Sequence, residues 1–487
     1  MKNSKGGKVI ASGGYGCVFS PALKCEGTTK RETGKISKLM TSTRAKDEYA
    51  EIISIKEKLD KIENYKDYFL IYDLNLCKPA KLTPSDLKEY SKCTALPKDK
   101  ITVKNINKRR NELISLNLPN GGLPVDDYLY VDGSFEKIYK LHLSLFRLLK
   151  EGIVPMNQMN VYHSDIKDSN ILVDDSRSKV DTTKVETTKV DTRLIDWGLA
   201  NQYKPFENEP FPRSWRNRPF QYNVPFSVII FSDSFIEKYT EYIKNGGNFV
   251  DYTHLKPFVI DYINFWFKKR GAGHYKFINE IMYTLFSKNL TSVSSENKPL
   301  IIETQITMEF IVNYIVDVLV HFTKFREDGN LNLREYLDKV FIKIVDIWGF
   351  ITVYYPLAEL LYNNYDKLNI IELRIFNKIK FLFVTYLFNP RHTPIDMNML
   401  YSDLNDLGNL INIKLRGKRF KNIKSVKSVK MATAAGIHKK TRKNTRNNAI
   451  NNANTINNIN TNNGKIFSFK RRPKRRKFRN PIFLSLK

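Results

Sequence analysis

Hydrophobic and polar positions along the 487-residue chain follow three regimes in turn. Between residues 8 and 40, short alternating segments separated by glycines predict β-strands. From 44 to 62 the apolar residues return at helical spacing, with Ile52, Ile55, Leu59 and Ile62 on one seam. The stretch 76–110 carries Pro79, Pro84 and Pro97 among many charges and reads as a loop-rich insertion before a strand near Glu112 to Leu118. From Phe135 onward long helical patterns dominate, and beyond about residue 412 the apolar periodicity fades. A small strand-rich lobe, a large helix-rich lobe and a polar tail follow, in an α+β arrangement.

One internal repeat interrupts the second lobe: residues 179–193 read KVDTT, KVETT, KVDTR. Polar pentads cannot supply a core and three are too few for a solenoid, so they predict a loop lengthened by duplication. The formal charge of +30 is unevenly placed, since residues 413–487 hold 23 Lys or Arg and no Asp or Glu. The preceding residues carry 57 basic against 50 acidic side chains. The tail, with its Asn444–Asn463 tract and KRRPKRRKFR, is predicted to be disordered and suited to nucleic acid or another polyanion. A merely solubilising tail is the plainer alternative. Cys17, Cys25, Cys77 and Cys93 show neither CxxC spacing nor a His partner pattern, which argues against a zinc site or disulfide framework and for a reducing compartment. The start MKNSKGGKVI has no apolar stretch, and no run of about 18 uncharged apolar residues occurs. A soluble, intracellular protein without a membrane partner is expected.

Candidate chemistry lies in four places. Ile10, Ala11, Ser12, Gly13, Gly14, Tyr15, Gly16, Cys17 and Val18 form a glycine-rich turn between two strands, where backbone can approach phosphate oxygens and adopt φ values closed to other residues. Lys38 ends KISK, an alternating stretch that can aim a lysine inward. Such a lysine needs a carboxylate. Glu48 and Glu51 both lie near the helical seam; Glu51 leaves more chain between strand and helix and is taken as the partner, while Glu48 fits the seam slightly better. VYHSDIKDSNILV, residues 161–173, and LIDWGLA, residues 194–200, supply Asp165, Lys167, Asn170 and Asp196. That inventory suits phosphoryl transfer: Asp165 accepts a hydroxyl proton, Lys167 faces the γ-phosphate of ATP, and Asn170 with Asp196 ligates Mg²⁺ through oxygen.

HSDIKDSN resembles the HRDLKxxN loop of eukaryotic-type protein kinases, and DWG resembles DFG. The resemblance implies a bilobal kinase-like fold. Residues 1–122 would form the N-lobe and hinge, with LNLPNGG at 116–122 against adenine, and 123–412 the helical C-lobe with a long helical insertion near 227–340. It also implies ATP and Mg²⁺ as cofactors, a protein substrate and, from Lys167, serine/threonine preference. VDIWGF, Val345 to Phe350, resembles the DxWxxG helix, with Asp346 supporting the catalytic-loop backbone and Gly349 two positions early. FNPRHTP, Phe388 to Pro394, resembles the DPxxRPT turn, but Val224, Pro225 and Phe226 stand where APE is expected, so no glutamate is offered to Arg391. Ser164 replaces the Arg of HRD, which implies an activation segment arranged without phosphorylation. GGYGCVFSPALKC, GIVPMNQMNVYHSDIK and NVPFS, with an Asn/Ile/Lys-rich composition, resemble the kinases of giant nucleocytoplasmic DNA viruses.

Overall fold

The computed structural model describes residues 7–175, 190–207, 211–245, 250–324 and 330–416. Residues 417–487 of the basic tail and 179–189 of the pentad repeat lie outside the described residues. What remains is a mixed α/β chain with a strand-rich N-terminal sheet and a helical C-terminal region.

Five strands form the sheet: β1 (Lys8–Ser12), β2 (Gly16–Ser20), β3 (Lys35–Thr41), β4 (Asn75–Cys77) and β5 (Leu113–Pro119), in the order β1-β2-β3-β5-β4. All neighbours are antiparallel, with β3 paired to β5 from Lys35↔Pro119 to Thr41↔Leu113. Helix α1 (Ser42–Leu59) starts directly after β3 and buries Ala45, Ile52, Ile55 and Leu59, the seam its spacing predicts. Ile62 is also buried, beyond the end of the helix. Residues 76–110 are more than a loop. Leu82, Tyr90, Leu96, Ile101 and Ile106 pack on Val9, Phe19, Leu39 and Leu113 as a second hydrophobic core covering the sheet.

The cysteine expectation is corrected here, because Cys17 pairs with Cys93 and Cys25 with Cys77, leaving no free cysteine. The partners are 76 and 52 residues apart, Cys17 on β2 with Cys93 of the insertion and Cys25 beyond β2 with Cys77 on β4, so only the folded sheet brings them together and local spacing carries no trace of them. The inference of a reducing compartment loses its basis with this pairing.

Downstream, β6 (Leu123–Pro124), α2 (Val125–Val131) and α3 (Phe135–Arg147) lead to β7 (Val161–Tyr162), β8 (Ile171–Asp174), β9 (Asp191–Leu194) and β10 (Asn201–Gln202). β6, β8 and β9 form one small sheet and β10 pairs with β7. The third pentad departs from the loop expectation. Its Asp191, Thr192 and Arg193 are buried in β9, where Arg193 bonds Asp191 (3.2 Å), Asp174 (3.5 Å) and the Lys66 carbonyl (3.0 Å). Leu194 then exchanges backbone hydrogen bonds with Tyr68 and Leu70, tying the lobes together.

The predicted insertion contains α4 (Asp233–Lys244), α5 (Tyr252–Arg270), α6 (Tyr275–Phe286) and α7 (Met308–Phe322). After it come α8 (Ile342–Thr352), α9 (Tyr355–Tyr362), α10 (Ile370–Phe383) and α11 (Met397–Leu415), the last running three residues past the expected domain end. α8 is apolar almost all round and sits in the middle of the lobe, as such a helix must. Two continuous helical stretches, Lys298–Phe322 and Leu333–Tyr362, are long and apolar enough to cross a membrane by length and composition. The apolar window of the second is 94% buried within the protein and that of the first 56%.

Candidate active site

β3 holds Lys38 opposite Val18, and its ammonium meets both oxygens of Glu48 at 2.7 and 2.8 Å. The choice of Glu51 is therefore wrong. α1 begins without a connecting loop, so its second turn already faces the lysine, and Glu48 shares a helical face with Ile52, Ile55 and Leu59. Glu51 points to solvent; partial burial, then the charges of Glu48 and Asp47, push its carboxyl above the ordinary range. On the other side of Lys38, the Asp196 carboxylate stands 4.0 Å away. Asp196 has φ +65°, a left-handed conformation that Asp tolerates better than most residues.

Only part of the glycine expectation holds. Gly13, Gly14 and Gly16 all lack positive φ. A Cβ on Gly16 would lie 2.8 Å from the Leu39 carbonyl and 2.3 Å from Met40 Cγ, so this glycine serves strand packing beneath Lys38. Gly14 faces open space, and Gly13 lies beside Lys38, its Cβ position 3.7 Å from Lys38 Cε. The turn thus leaves room above the lysine.

The loop after β7 converges on Asp165, which is 7% exposed. Its Oδ2 accepts from Lys167 (2.6 Å) and Asn170 (3.0 Å), and its Oδ1 from Asn223 (2.8 Å). Burial opposes ionisation, but the charge of Lys167 and the hydrogen bonds of Lys167 and Asn223 outweigh it and hold the carboxyl below its usual range. The Asn170 amide nitrogen is committed to Asp165, leaving its carbonyl oxygen as the atom able to ligate a cation. His163 links this loop to the next: Nδ1 accepts from the Asp165 N–H (3.3 Å), so Nε2 carries the proton donated to the Ile195 carbonyl (3.0 Å).

Beneath the loop, Asp346 of α8 is fully buried and accepts from the His163 and Ser164 amides (2.9 and 2.8 Å) and from Asn157 (2.7 Å). Burial raises its pKa against these bonds. It lies inside its helix, which excludes a capping role. Gly349, also on α8, admits the loop: a Cβ there would lie 2.6 Å from the Ile166 carbonyl.

Ser164 is wired into the segment that follows Asp196. Its hydroxyl accepts from Trp215 Nε1 (2.8 Å) and Asn201 (3.2 Å), and its carbonyl from Arg218 (3.0 Å). Desolvation lowers the Arg218 guanidinium to about 10. Further along, buried Tyr203 donates to Asp338 (2.5 Å), which also accepts from the Phe206 amide (3.0 Å), while Arg334 donates to the Tyr203 hydroxyl (2.5 Å). Phe226 stacks on Phe388 (6.1 Å) and abuts Trp348, an aromatic contact near Arg391, whose guanidinium donates to the Thr385 carbonyl.

Asn223, Arg218, Arg334 and Asp338 were absent from the sequence reading. Asn223 adjoins the Val224–Phe226 stretch that stands for APE, and this adjacency was the one available signal. The Asn170 side-chain carbonyl and the Asp196 carboxylate are hard oxygen donors of the kind that fits Mg²⁺, and the bond from the Ile195 amide to the Asn170 main-chain carbonyl ties their two stretches together.

Comparisons with known proteins add the following. No model of a known protein family matches this chain, and no curated protein matches it. Among solved structures, the crystal structure of a kinase domain is similar at 13% identity and a TM-score of 0.27. The similarity takes in 47% of this chain and spans 60% of the length of that one.

Proposed function

We propose that this chain is an ATP- and Mg²⁺-dependent protein kinase that phosphorylates serine or threonine hydroxyls. The carrying observation is the convergence of the Lys38–Glu48 pair and Asp196 on one side with Asp165, Lys167 and Asn170 on the other. Asp165, kept ionised, orients a substrate hydroxyl and takes its proton as the new phosphorus–oxygen bond forms and the bond to the ADP leaving group breaks. Lys167 and Lys38 balance charge on the transferring and departing phosphates. Mg²⁺ held by Asp196 and Asn170 would supply further charge neutralisation. Residues 10–18 lie over the phosphates and 116–122 beside adenine in this reading.

The test is transfer from radiolabelled ATP to a generic protein acceptor, with and without Mg²⁺. Asp165→Ala and Asp196→Ala should each lower turnover at least ~10²-fold in folded protein. Near-normal turnover in either variant would overturn the assignment, and an inactive wild type that still binds ATP would favour a scaffold of the same fold. A separate binding role for the tail rests on its 23 basic and no acidic residues. α11 reaches Leu415, so truncation after Arg416 is the cut that leaves the domain whole, and salt-sensitive nucleic-acid binding should vanish with it.

A further inference from the structure

We infer that Asp317, His321 and His392 form a second metal site, for a borderline divalent cation of the Zn²⁺ type, remote in sequence from the catalytic loop. Asp317 and His321 lie four residues apart on α7, so both side chains leave one helical face. His392 arrives from FNPRHTP, after α10. One ligand atom from each of the three lies within 4.8 Å of the others. His392 Nδ1 is 3.0 Å from Asp317 Oδ2, and His321 Nδ1 is 3.5 Å from Asp317 Oδ1. Metal–ligand bonds of about 2.0–2.1 Å at tetrahedral angles place ligand atoms roughly 3.3 Å apart, and each histidine nitrogen stands near that distance from one Asp317 oxygen.

The surroundings select a cation and its class. The two imidazoles stack at 3.5 Å with planes 7° apart against a carboxylate that is itself 3% exposed. Tyr252 donates its hydroxyl to Asp317, the outer-sphere hydrogen bond that orients a ligating carboxylate. Both histidines are partly exposed, which gives the ion a path from solvent and leaves a fourth position for water. Two nitrogens and one oxygen favour Zn²⁺ over Mg²⁺ or Ca²⁺, which prefer all-oxygen sets. Binding replaces the hydrogen bonds of His321 Nδ1 to the Asp317 carbonyl (2.8 Å) and of His392 Nδ1 to Asp317 Oδ2 (3.0 Å) and fans the stacked rings apart. Arg391, half-buried next to His392 and close enough to feel the Asp317 charge, opposes a dication, so the affinity expected is micromolar rather than that of a closed four-ligand site. The bound ion would brace α7 of the insertion against the segment carrying Phe388, which stacks on Phe226 behind the catalytic loop.

The experiment uses the full chain, stripped with EDTA and held in excess Mg²⁺ so that oxygen-only sites are filled. Titration with Zn²⁺ should show one equivalent bound with micromolar Kd and raise the melting temperature by about 3 °C or more at 100-fold excess over Kd. Co²⁺ should give visible d–d absorption of a nitrogen-bearing, low-coordinate site. His392→Ala, folded by circular dichroism because its side chain is half exposed, should weaken binding at least 10-fold, as should Asp317→Asn. His254→Ala, which removes an exposed histidine elsewhere, should change nothing. Stripped wild type that takes up no Zn²⁺, or His392→Ala binding as tightly as wild type, would overturn the site.

Discussion

Replacing Asn223 by alanine isolates one contact to the proposed base. Asn223 donates to Asp165 Oδ1 at 2.8 Å and to the Ile166 carbonyl at 3.2 Å, while its own Oδ1 is buried without a partner. Besides the weaker bond to the Ile166 carbonyl, alanine therefore removes one charge-assisted hydrogen bond and one unmet acceptor together. The first loss is about 1.5–3 kcal/mol for a bond to a charged group, or roughly 10- to 150-fold in turnover if the bond persists in the transition state. The second offsets part of the stability cost, so the melting temperature should move by less than about 3 °C. Asp165 Oδ2 keeps Lys167 and Asn170, which bounds the effect below that of removing the carboxylate itself. The pH profile carries an independent sign. Asn223 is one of the groups that hold the Asp165 carboxyl below its ordinary value, so its removal raises that pKa and moves the acid limb of kcat/KM to higher pH. Steady-state transfer from pH 5 to 8 measures both. Turnover within twofold of wild type at pH 7.5 with an unmoved acid limb would refute the role assigned to Asn223.

Glu48→Gln should cut kcat/KM for ATP at least ~10-fold while Glu51→Gln stays within about twofold; equal losses would mean that Lys38 is not held by Glu48 during turnover. Enzyme made in bacteria and treated with phosphatase should keep most of its activity, because Tyr203 is buried and bonded to Asp338; a loss above ~10-fold in the treated enzyme or in Ser214→Ala would show that the segment needs a phosphate. Asp346→Ala leaves the buried His163 and Ser164 amides unmet, removes one bond of Asn157, and should destabilise by about 3 kcal/mol or more in urea unfolding; a change under ~1 kcal/mol would contradict the support role. Cys93→Ser opens a loop of 76 residues, for which chain entropy gives an upper figure of about 4 kcal/mol, and an unchanged urea midpoint would show that the bridge does not form in solution.

The parts of the site that could be read in advance are those whose chemistry is local. HSDIKDSN puts Asp165, Lys167 and Asn170 within one turn of chain, and Asp346 follows from a short helix motif; both stretches converge as their spacing suggests. The strands between residues 8 and 40 and the α1 seam were legible for the same reason, since period alone separates alternating β3 from helical 44–62. Contacts across long separations left no such mark. Glu48 and Glu51 differ by one helical step, and only the absence of a loop between β3 and α1 decides between them. Asn223 and Arg218 reach the loop after β7 from more than 50 residues away, and the cysteine pairs join residues 52 and 76 apart. The end of the third pentad reads as polar repeat but is consumed by β9, because Arg193 finds two carboxylates within the fold.

The bonds from Tyr203 and Phe206 to Asp338 give the segment after Asp196 an unusual place in the hierarchy of opening motions. A stretch held by phosphate or by its own turns opens locally, and its amides exchange with solvent long before the core does. Here the anchor belongs to the helical stretch Leu333–Tyr362, whose apolar window is 94% buried, and the Asn217 amide is further bonded to the Phe231 carbonyl. Releasing the segment therefore means disturbing that buried stretch, and the two should exchange as one cooperative unit. In deuterium exchange the amides of Tyr203, Phe206 and Asn217 would then share the protection of residues 338–350, so that the region nearest the proposed acceptor hydroxyl is among the slowest to open.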